Sequence, residues 1–328
     1  GLLGLIRDAG YTSAATVSFD VDGGEVWVSA REGSRYPHTA DAAAQAQSAL
    51  FGSEAAGSDA PSIAIQWGEA PSRTTFDEAL EMGLVAPISS FTTEYNDSPS
   101  TANRRHNIHT AADLLNNSIA RADGGEWSFN DTVGEANEEA GFQAAHAIIN
   151  GEYDDAIGGG ICQTSSTIYY ACLRANLEIT ERYAHRYVPA YIDWGMDATV
   201  SWGGPDYKFT NNTNYPIKIV ATYSKGYLTV KILGTNVDGT YVKMTNEVLS
   251  KTPWETVYKD DPTLPAGTEK VTTTPYTGYK VKSYRNVYSA DGKLISSTYE
   301  ATSDYKVRNK VISKGPALPE APASGEAQ

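Results

Sequence analysis

The spacing of apolar and polar residues predicts short helices and strands that follow one another along the chain. Residues 14–30 alternate with period two on either side of "DGG", and residues 216–234 alternate around "SKG"; each pattern predicts a β-hairpin. Apolar residues recur with helical spacing in "HTAADLLNNSIARADGG", where Gly124 is expected to end the helix. The same spacing in "ICQTSSTIYYACLRAN" predicts a second helix, and "EWSFN" and "LEITER" predict strands. We therefore expect an α+β protein.

The first 95 residues predict one small α+β unit. An Ala-rich helix, "ADAAAQAQSAL", and an apolar strand, "SIAIQW", precede the segment "TTFDEALEMG". In that segment Thr75 and Glu78 have the spacing of a capping box, and Gly83 supplies a helix stop.

Beyond about residue 242 the pattern changes to strands rich in Thr, Tyr, Lys and Val. A turn at Asp291–Gly292 separates two alternating runs, which predicts a separate all-β module. The Pro- and Ala-rich end predicts a disordered tail. The expected organisation is a small α+β N-terminal domain at 1–95, an α+β central domain at 96–241, a β domain at 242–316 and a tail at 317–328.

Composition narrows the class of partner. The 328 residues carry a formal net charge of −14, which argues against binding to nucleic acid or to an acidic membrane surface. No apolar run approaches the roughly 20 residues that a membrane helix needs. The chain begins without Met, so the absence of a targeting segment says little about location. We expect the full-length protein to carry a membrane anchor. Nothing in the sequence calls for a cofactor.

The chain has two cysteines in different settings. Cys162 follows three glycines at a predicted helix start, where free amide N–H groups and the helix dipole stabilise a thiolate and an oxyanion. The glycines indicate a close backbone approach, either to a ligand or to another part of the chain. Cys172 lies on the apolar stripe and is expected in the core. On one helix the two are about 15 Å apart, too far for a disulfide.

A thiol nucleophile usually needs a base, and His185 is the best placed of the five histidines. One helix and one returning strand separate it from Cys162, which predicts that the two meet. Asp197 could orient the imidazole, with Asp193 and Asp206 as rivals.

A metal site is a weaker alternative. His106, His109 and Asp113 have a spacing that could place them on one helix face, but the segment also starts a helix, where polar residues are expected. We therefore predict no metal.

Residues 103–234 resemble the VanW family. The resemblance rests on "NRRHNIHTAADLLNN", "WSFNDTVGEANEEAGF", "GGGICQTSSTIYYACLRANLEITERYAH" and "GMDATVSWGGPDYKFTNNTNYPIKI". Residues 1–95 resemble the peptidoglycan-binding domain that often precedes VanW, entered partway along, and residues 242–316 resemble a divergent G5 domain.

The resemblance implies peptidoglycan L,D-transpeptidation, with Cys162 as nucleophile and His185 as base. It does not establish that Asp197 completes a triad, and the chain lacks the His…Ser-x-Gly-Cys signature of the ordinary L,D-transpeptidases. The expected substrate-binding residues are Gly159, Gly160, Gln163, Thr164 and Arg182.

The implied partners are the stem peptides and glycan of peptidoglycan, and the implied location is extracellular, in the cell wall. We expect a monomer. Two other functions stay open: a wall-binding scaffold in which "GGGICQ" is structural, and a cysteine peptidase or amidase, which passes the acyl group to water.

Overall fold

The structure is a computed structural model that describes residues 17–22, 25–30, 35–37, 44–45, 66–81, 85–122, 124–149, 152–236 and 238–318. Strands outnumber helices in these ranges, and the C-terminal part is a β module. The predicted helix "ADAAAQAQSAL", the strand "SIAIQW", Gly83 and the tail lie wholly or almost wholly outside the described residues.

The N-terminal hairpin is confirmed. Strands β1 (Val17–Asp22) and β2 (Glu25–Ala30) pair antiparallel, and β5 (Thr74–Thr75) adds to β2. Strands β3 (Arg35–Pro37) and β4 (Trp67–Glu69) form a separate pair.

The capping box at the next helix, α1 (Phe76–Glu81), is also confirmed. The N–H of Thr75 donates to Oε2 of Glu78 at 3.0 Å, and the N–H of Glu78 donates to Oγ1 of Thr75 at 3.3 Å. This reciprocal pair satisfies N–H groups that the first helical turn leaves free.

A four-stranded antiparallel sheet forms the centre of the molecule. Its order is β6 (Ala86–Glu94), β14 (Tyr227–Gly234), β13 (Ile217–Ser224) and β7 (Ile119–Ala120). Strands β13 and β14 are the hairpin predicted from "SKG".

The helix predicted from "HTAADLLNN" has different bounds in the structure. Helix α2 spans Ala102–Leu115, and the expectation that Gly124 ends it is wrong. Asn117 has a left-handed φ of 64°, a conformation that asparagine tolerates at a helix end. Ile119 then pairs with Lys218 as part of the sheet. The helix therefore ends earlier than its apolar spacing predicts, because the residues that follow pair as a strand with β13.

Three further elements lead to the second long helix. Strand β8 (Gly125–Ser128) runs into the short helix α3 (Phe129–Val133). The hairpin of β9 (Ala144–Ile149) and β10 (Glu152–Ile157) then delivers the chain to the three glycines and to helix α4 (Ile161–Arg174).

The predicted strand "LEITER" is present as β11 (Glu178–Glu181), which pairs with β12 (Lys208–Asn211). Strand β12 also pairs with β8, so the three strands form a small sheet beside α4. Helix α4 is the most buried of these elements: Ile168, Cys172 and Leu173 are fully buried in the main core.

The C-terminal module consists of two three-stranded sheets, ordered β15-β18-β19 and β16-β20-β17. Their strands are β15 (Tyr241–Thr252), β16 (Thr256–Asp260), β17 (Glu269–Thr273), β18 (Gly278–Tyr288), β19 (Leu294–Tyr305) and β20 (Lys310–Lys314). The predicted hairpin at Asp291–Gly292 is confirmed as β18 and β19.

The C-terminal module packs directly on the central part of the chain. Arg285 donates to the carbonyl of Leu177 at 2.7 Å, and the ring of Trp194 stacks on Tyr279 with centroids 4.5 Å apart. The end of β19 is thereby placed beside the loop that follows His185.

Candidate active site

The three glycines before α4 allow two parts of the chain to approach each other closely. A Cβ on Gly159 would lie 2.3 Å from the carbonyl oxygen of Ala145, in β9. Gly160 has a φ of 113°, and a Cβ there would lie 2.9 Å from Cγ of Arg104, in α2. Of the two uses expected for the glycines, the structure shows the contact with other chain segments.

Cys162 lies in the first turn of α4 and is half-buried. Its Sγ lies 3.5 Å from the carbonyl oxygen of Val200. Its own carbonyl accepts hydrogen bonds from Ser166 Oγ at 2.7 Å and Tyr191 OH at 3.3 Å. Its backbone N–H has no acceptor within the described part of the chain.

His185 lies next to Cys162 and is fixed by Asp197. Oδ2 of Asp197 accepts from both the backbone N–H and the ring Nδ1 of His185, each at 2.7 Å. Because Nδ1 donates to the carboxylate, Nε2 is left to face the thiol and the hydroxyl of Tyr191, which is 3.5 Å away.

The thiol and the imidazole shift each other's pKa. Burial alone would raise the pKa of Cys162, but the hydrogen bond and charge of His185 outweigh it and lower that pKa. Burial would lower the pKa of His185, but Asp197 and the Cys162 thiolate raise it to about 9. Both shifts favour a thiolate–imidazolium pair at neutral pH.

Asp197 is completely buried, and two further groups balance its charge. Arg182 forms a salt bridge to Oδ1 at 3.0 Å, and the hydroxyl of Tyr305, from β19, donates to the same oxygen. Although burial raises the pKa of a carboxyl group, the hydrogen bond from His185 and the charge of Arg182 lower that of Asp197 to about 2.

The rival carboxylates have other places in the structure. Asp206 accepts from Ser128 Oγ at 2.6 Å and from the N–H of Asn130 at 2.9 Å, at the start of α3. Asp193 is exposed. Of the three candidates, Asp197 alone contacts His185 in the described residues.

Three of the predicted substrate-binding residues, Gln163, Thr164 and Arg182, are buried. Gln163 is 1% exposed, and its amide bonds to Arg104 at 2.9 Å and to the carbonyl of Glu94 at 2.9 Å. Thr164 is fully buried in α4. Arg182 lies behind Asp197, with a side-chain exposure of 6%, and also donates to Ser303.

The histidines of the alternative metal site are engaged separately. Nε2 of His106 bonds to the carbonyl of Gly141 at 2.8 Å, and Nε2 of His109 bonds to the hydroxyl of Tyr95 at 2.7 Å. No cluster of three or more metal-binding side chains occurs among the described residues.

A cleft of about 700 Å³ lies next to Arg104 and Tyr191, two residues that contact the first turn of α4. Cys162 and His185 are not among the residues that line it. The lining residues are Glu94, Tyr95, Asn96, Asp97, Arg104, Ala190, Tyr191, Lys225, Gly226 and Tyr227.

Sequence reasoning missed Arg104, Tyr191 and Tyr305. Arg104 lies in the stretch "NRRHNIH", whose pattern predicts a helix start and gives its arginines no role. Tyr191 follows His185 by six residues, a proximity that could have been considered. Tyr305 lies in a different domain, and no sequence signal connects it to Asp197.

Two family matches divide the chain. Residues 103–233 match the family described as VanW like protein, and residues 243–317 match the G5 domain. In the described ranges, no helix is both long and apolar enough to cross a membrane.

Two curated proteins are similar over the central part of the chain. The uncharacterized protein YoaR of Bacillus subtilis (strain 168) is 34% identical over 199 residues, 58% of this chain and 65% of the relative. The vancomycin B-type resistance protein VanW of Enterococcus faecalis (strain ATCC 700802 / V583) is 30% identical over 125 residues, 37% of this chain and 45% of the relative. The chain thus spans less than two thirds of the length of either relative.

Two solved G5 structures match a smaller part. The G5 domain of an IgA1 protease is 20% identical, covering 24% of this chain and 94% of that domain, with a TM-score of 0.18. The structure of HP0197-G5 is 24% identical, covering 23% of this chain and 95% of that one, with a TM-score of 0.15. This chain carries a VanW domain, which holds Cys162, His185 and Asp197, followed by a G5 domain, which supplies Tyr305.

Proposed function

We propose that this protein is a cysteine-dependent acyltransferase of the bacterial cell wall, an L,D-transpeptidase that cross-links peptidoglycan stem peptides. The observation that carries the proposal is the line of contacts from Asp197 through His185 to Cys162 at the start of α4. A nucleophile, a base and a group that orients the base are the parts that acyl transfer needs.

The first half of the reaction forms a thioester. The Cys162 thiolate attacks the carbonyl carbon of the donor peptide bond, and the negative charge moves to the carbonyl oxygen. The free N–H of Cys162, at the positive end of the α4 dipole, supports this step because it can donate to that oxygen. As the C–N bond breaks, imidazolium His185 gives its proton to the leaving amine, and the terminal amino acid departs.

The second half of the reaction transfers the acyl group. An amine of a second stem peptide attacks the thioester carbon, His185 takes the proton of that amine, and the C–S bond breaks. The new amide replaces the one that was cleaved, so no oxidant, reductant or energy source is consumed. The thiolate–imidazolium pair is restored for another cycle.

Domain composition supports the wall as the location. A VanW domain followed by a G5 domain is typical of a secreted, cell-wall-associated protein, and the G5 domain is associated with wall glycan. The net charge of −14 fits an extracellular protein that does not bind nucleic acid. The name of one relative connects that relative to vancomycin resistance.

The test is mass spectrometry of muropeptides. Purified protein given disaccharide-tetrapeptides should produce dimers that lack D-alanine at the new bond and should release one D-alanine for each dimer. Cys162→Ala should abolish both products. Cys172→Ala is the matched control, because this second thiol is fully buried and its pKa is raised by burial to about 12; that variant should retain activity.

Other outcomes would select among the alternatives. D-alanine release without dimers would indicate a carboxypeptidase, and cleavage within the stem peptide would indicate an amidase or peptidase. Binding to peptidoglycan with no product from several stem-peptide types would refute the transferase and leave a wall-binding scaffold.

A further inference from the structure

We propose that Arg104 binds the terminal carboxylate of the acyl donor, so that the site selects peptides in which the bond to be cleaved is the last one. This inference names the substrate feature recognised beside Cys162 and rests on the proposed function. The inference rests on the position of the Arg104 guanidinium group, on its hydrogen bonds and on the cleft that Arg104 lines.

Arg104 is held at the start of α4. Its Cγ packs against Gly160, where a Cβ would lie only 2.9 Å away, and Gly160 is two residues before the nucleophile. Its Nη2 donates to Oε1 of Gln163 at 2.9 Å. Gln163 is in turn fixed by Thr93 and by the carbonyl of Glu94, so the guanidinium has a defined position beside Cys162.

No carboxylate pairs with Arg104 within the described part of the chain, and the one acceptor seen for its guanidinium is the neutral amide of Gln163. By contrast, Arg105, the next residue, pairs with Asp97 at 2.7 Å, and Arg182 pairs with Asp197. Arg104 is partly buried, and burial lowers its pKa, which means that its charge is poorly compensated by solvent. A poorly solvated guanidinium with free N–H groups favours an anion.

The cleft gives a ligand access to this group. Arg104 lines the cavity of about 700 Å³ together with Tyr191, whose hydroxyl also contacts the carbonyl of Cys162. The acidic residues that line it are Glu94 and Asp97, and Asp97 is already paired with Arg105. Lys225 lines the same cleft, but it is exposed, so solvent screens its charge more than that of Arg104.

A terminal carboxylate matches this arrangement in shape and in place. In a peptide that ends with a free carboxylate, only the α-carbon and the nitrogen of the last residue separate that carboxylate from the carbonyl carbon of the last peptide bond. A carboxylate held by Arg104 therefore brings the last peptide bond, and no other, next to the Cys162 thiolate. The planar guanidinium fork suits a carboxylate, which can accept two parallel N–H bonds.

The experiment measures binding without turnover. A Cys162→Ala protein is titrated calorimetrically with a stem tetrapeptide that has a free terminal carboxylate and with the same peptide as its terminal amide. We expect the acid to bind about tenfold more tightly or better, the range for a hydrogen bond to a charged group. Arg104→Gln in the same background keeps the Cβ and Cγ that pack on Gly160 and should make the two peptides equal.

Arg121→Gln is the control, because it removes one exposed arginine outside the cleft; it should preserve the preference. The inference would be overturned if the Cys162→Ala protein, which keeps Arg104, bound the acid and the amide equally. It would also be overturned if this protein bound neither peptide at millimolar concentration. The proposed function is judged separately, from the dimers that the wild-type protein makes. If the wild type makes dimers but the Cys162→Ala protein shows no preference for the acid, only the role of Arg104 is refuted. If the Cys162→Ala protein prefers the acid but the wild type makes no product, only the transferase activity is refuted.

Discussion

The hydroxyl of Tyr305, in the G5 domain, donates a hydrogen bond to Oδ1 of Asp197, in the VanW domain. The same hydroxyl accepts from the backbone N–H of Gly195 at 2.7 Å, so it fixes both the carboxylate and the loop that carries it. Since Asp197 holds His185, the second domain contributes to the position of the imidazole.

Tyr305→Phe tests this dependence between the domains. The change removes the hydrogen bond of the hydroxyl to Oδ1 of Asp197 and the one from the N–H of Gly195. Both are lost at a buried site, since Tyr305 is only 2% exposed. We expect a loss of about 1–3 kcal/mol in the free energy of unfolding and a slower reaction of Cys162 with iodoacetamide. Tyr299→Phe, which removes an exposed hydroxyl on the same strand, should change neither. An unchanged alkylation rate in Tyr305→Phe would contradict the positioning role.

The rate of Cys162 alkylation should be high at neutral pH. The pKa of Cys162 is lowered and that of His185 is raised to about 9, so both shifts favour a thiolate–imidazolium pair below pH 9. An ordinary thiol, with a pKa of about 8.5, is mostly protonated at pH 7. We expect the iodoacetamide rate of Cys162 at pH 7 to exceed that of an ordinary thiol, with no labelling of Cys172 in the folded protein. A rate that rises only above about pH 8.5 would show that the pair does not form.

His185→Ala should reduce reactivity more than stability. The ring contacts Asp197 through Nδ1 and faces Cys162 and Tyr191 with Nε2, but its side chain keeps 21% exposure. After its removal, Asp197 still pairs with Arg182 and Tyr305, so we expect the fold to persist. We expect a cooperative melt and a loss of both cross-linking and rapid alkylation at pH 7. If the variant fails to fold, the histidine is a structural residue and another base must be found.

The buried carboxylate should make stability depend on acid pH. The pKa of Asp197 is lowered to about 2, against 3.8 for the free group. A carboxyl group with a lowered pKa stabilises the folded state above its unfolded value, so this contribution is complete above about pH 4 and is lost as the pH falls toward 2. The shift corresponds to about 2 kcal/mol. In urea titrations, the stability difference between wild type and Asp197→Asn should therefore shrink by about that amount from pH 4 to pH 2; a constant difference would contradict it.

Gly159→Ala should disrupt the approach of β9 to α4. The new Cβ would lie 2.3 Å from a backbone oxygen, which cannot rotate away, so one segment must move. Overpacking of this kind costs about 1–3 kcal/mol or more, and thermal melts would measure it. Gly204→Ala is the control, because its Cβ would meet neighbours only at 3.7 Å and beyond. Equal melting temperatures for the two variants would show that the close contact is not required.

Local patterns were sufficient to predict several elements and the setting of the candidate nucleophile. Period-two alternation identified the hairpins of β13–β14 and β18–β19, since strand pairing across a short turn is a local property. Glycines followed by a polar helix start placed Cys162 where a thiolate is stabilised, and the apolar stripe placed Cys172 in the core. The interval from Cys162 to His185, one helix and one strand, was enough to expect that they meet.

The tertiary structure alone decided which groups surround that pair. Asp193, Asp197 and Asp206 are equivalent in sequence, and only the path of the loop after β11 brings Asp197 to His185. Strand pairing at Ile119 ended α2 at Leu115, against the apolar spacing that predicted a longer helix. Arg104 meets Gly160, and Tyr305 meets Asp197, across gaps of many residues. Such contacts depend on how helices and domains pack against each other. The spacing of residues within one segment does not predict that packing.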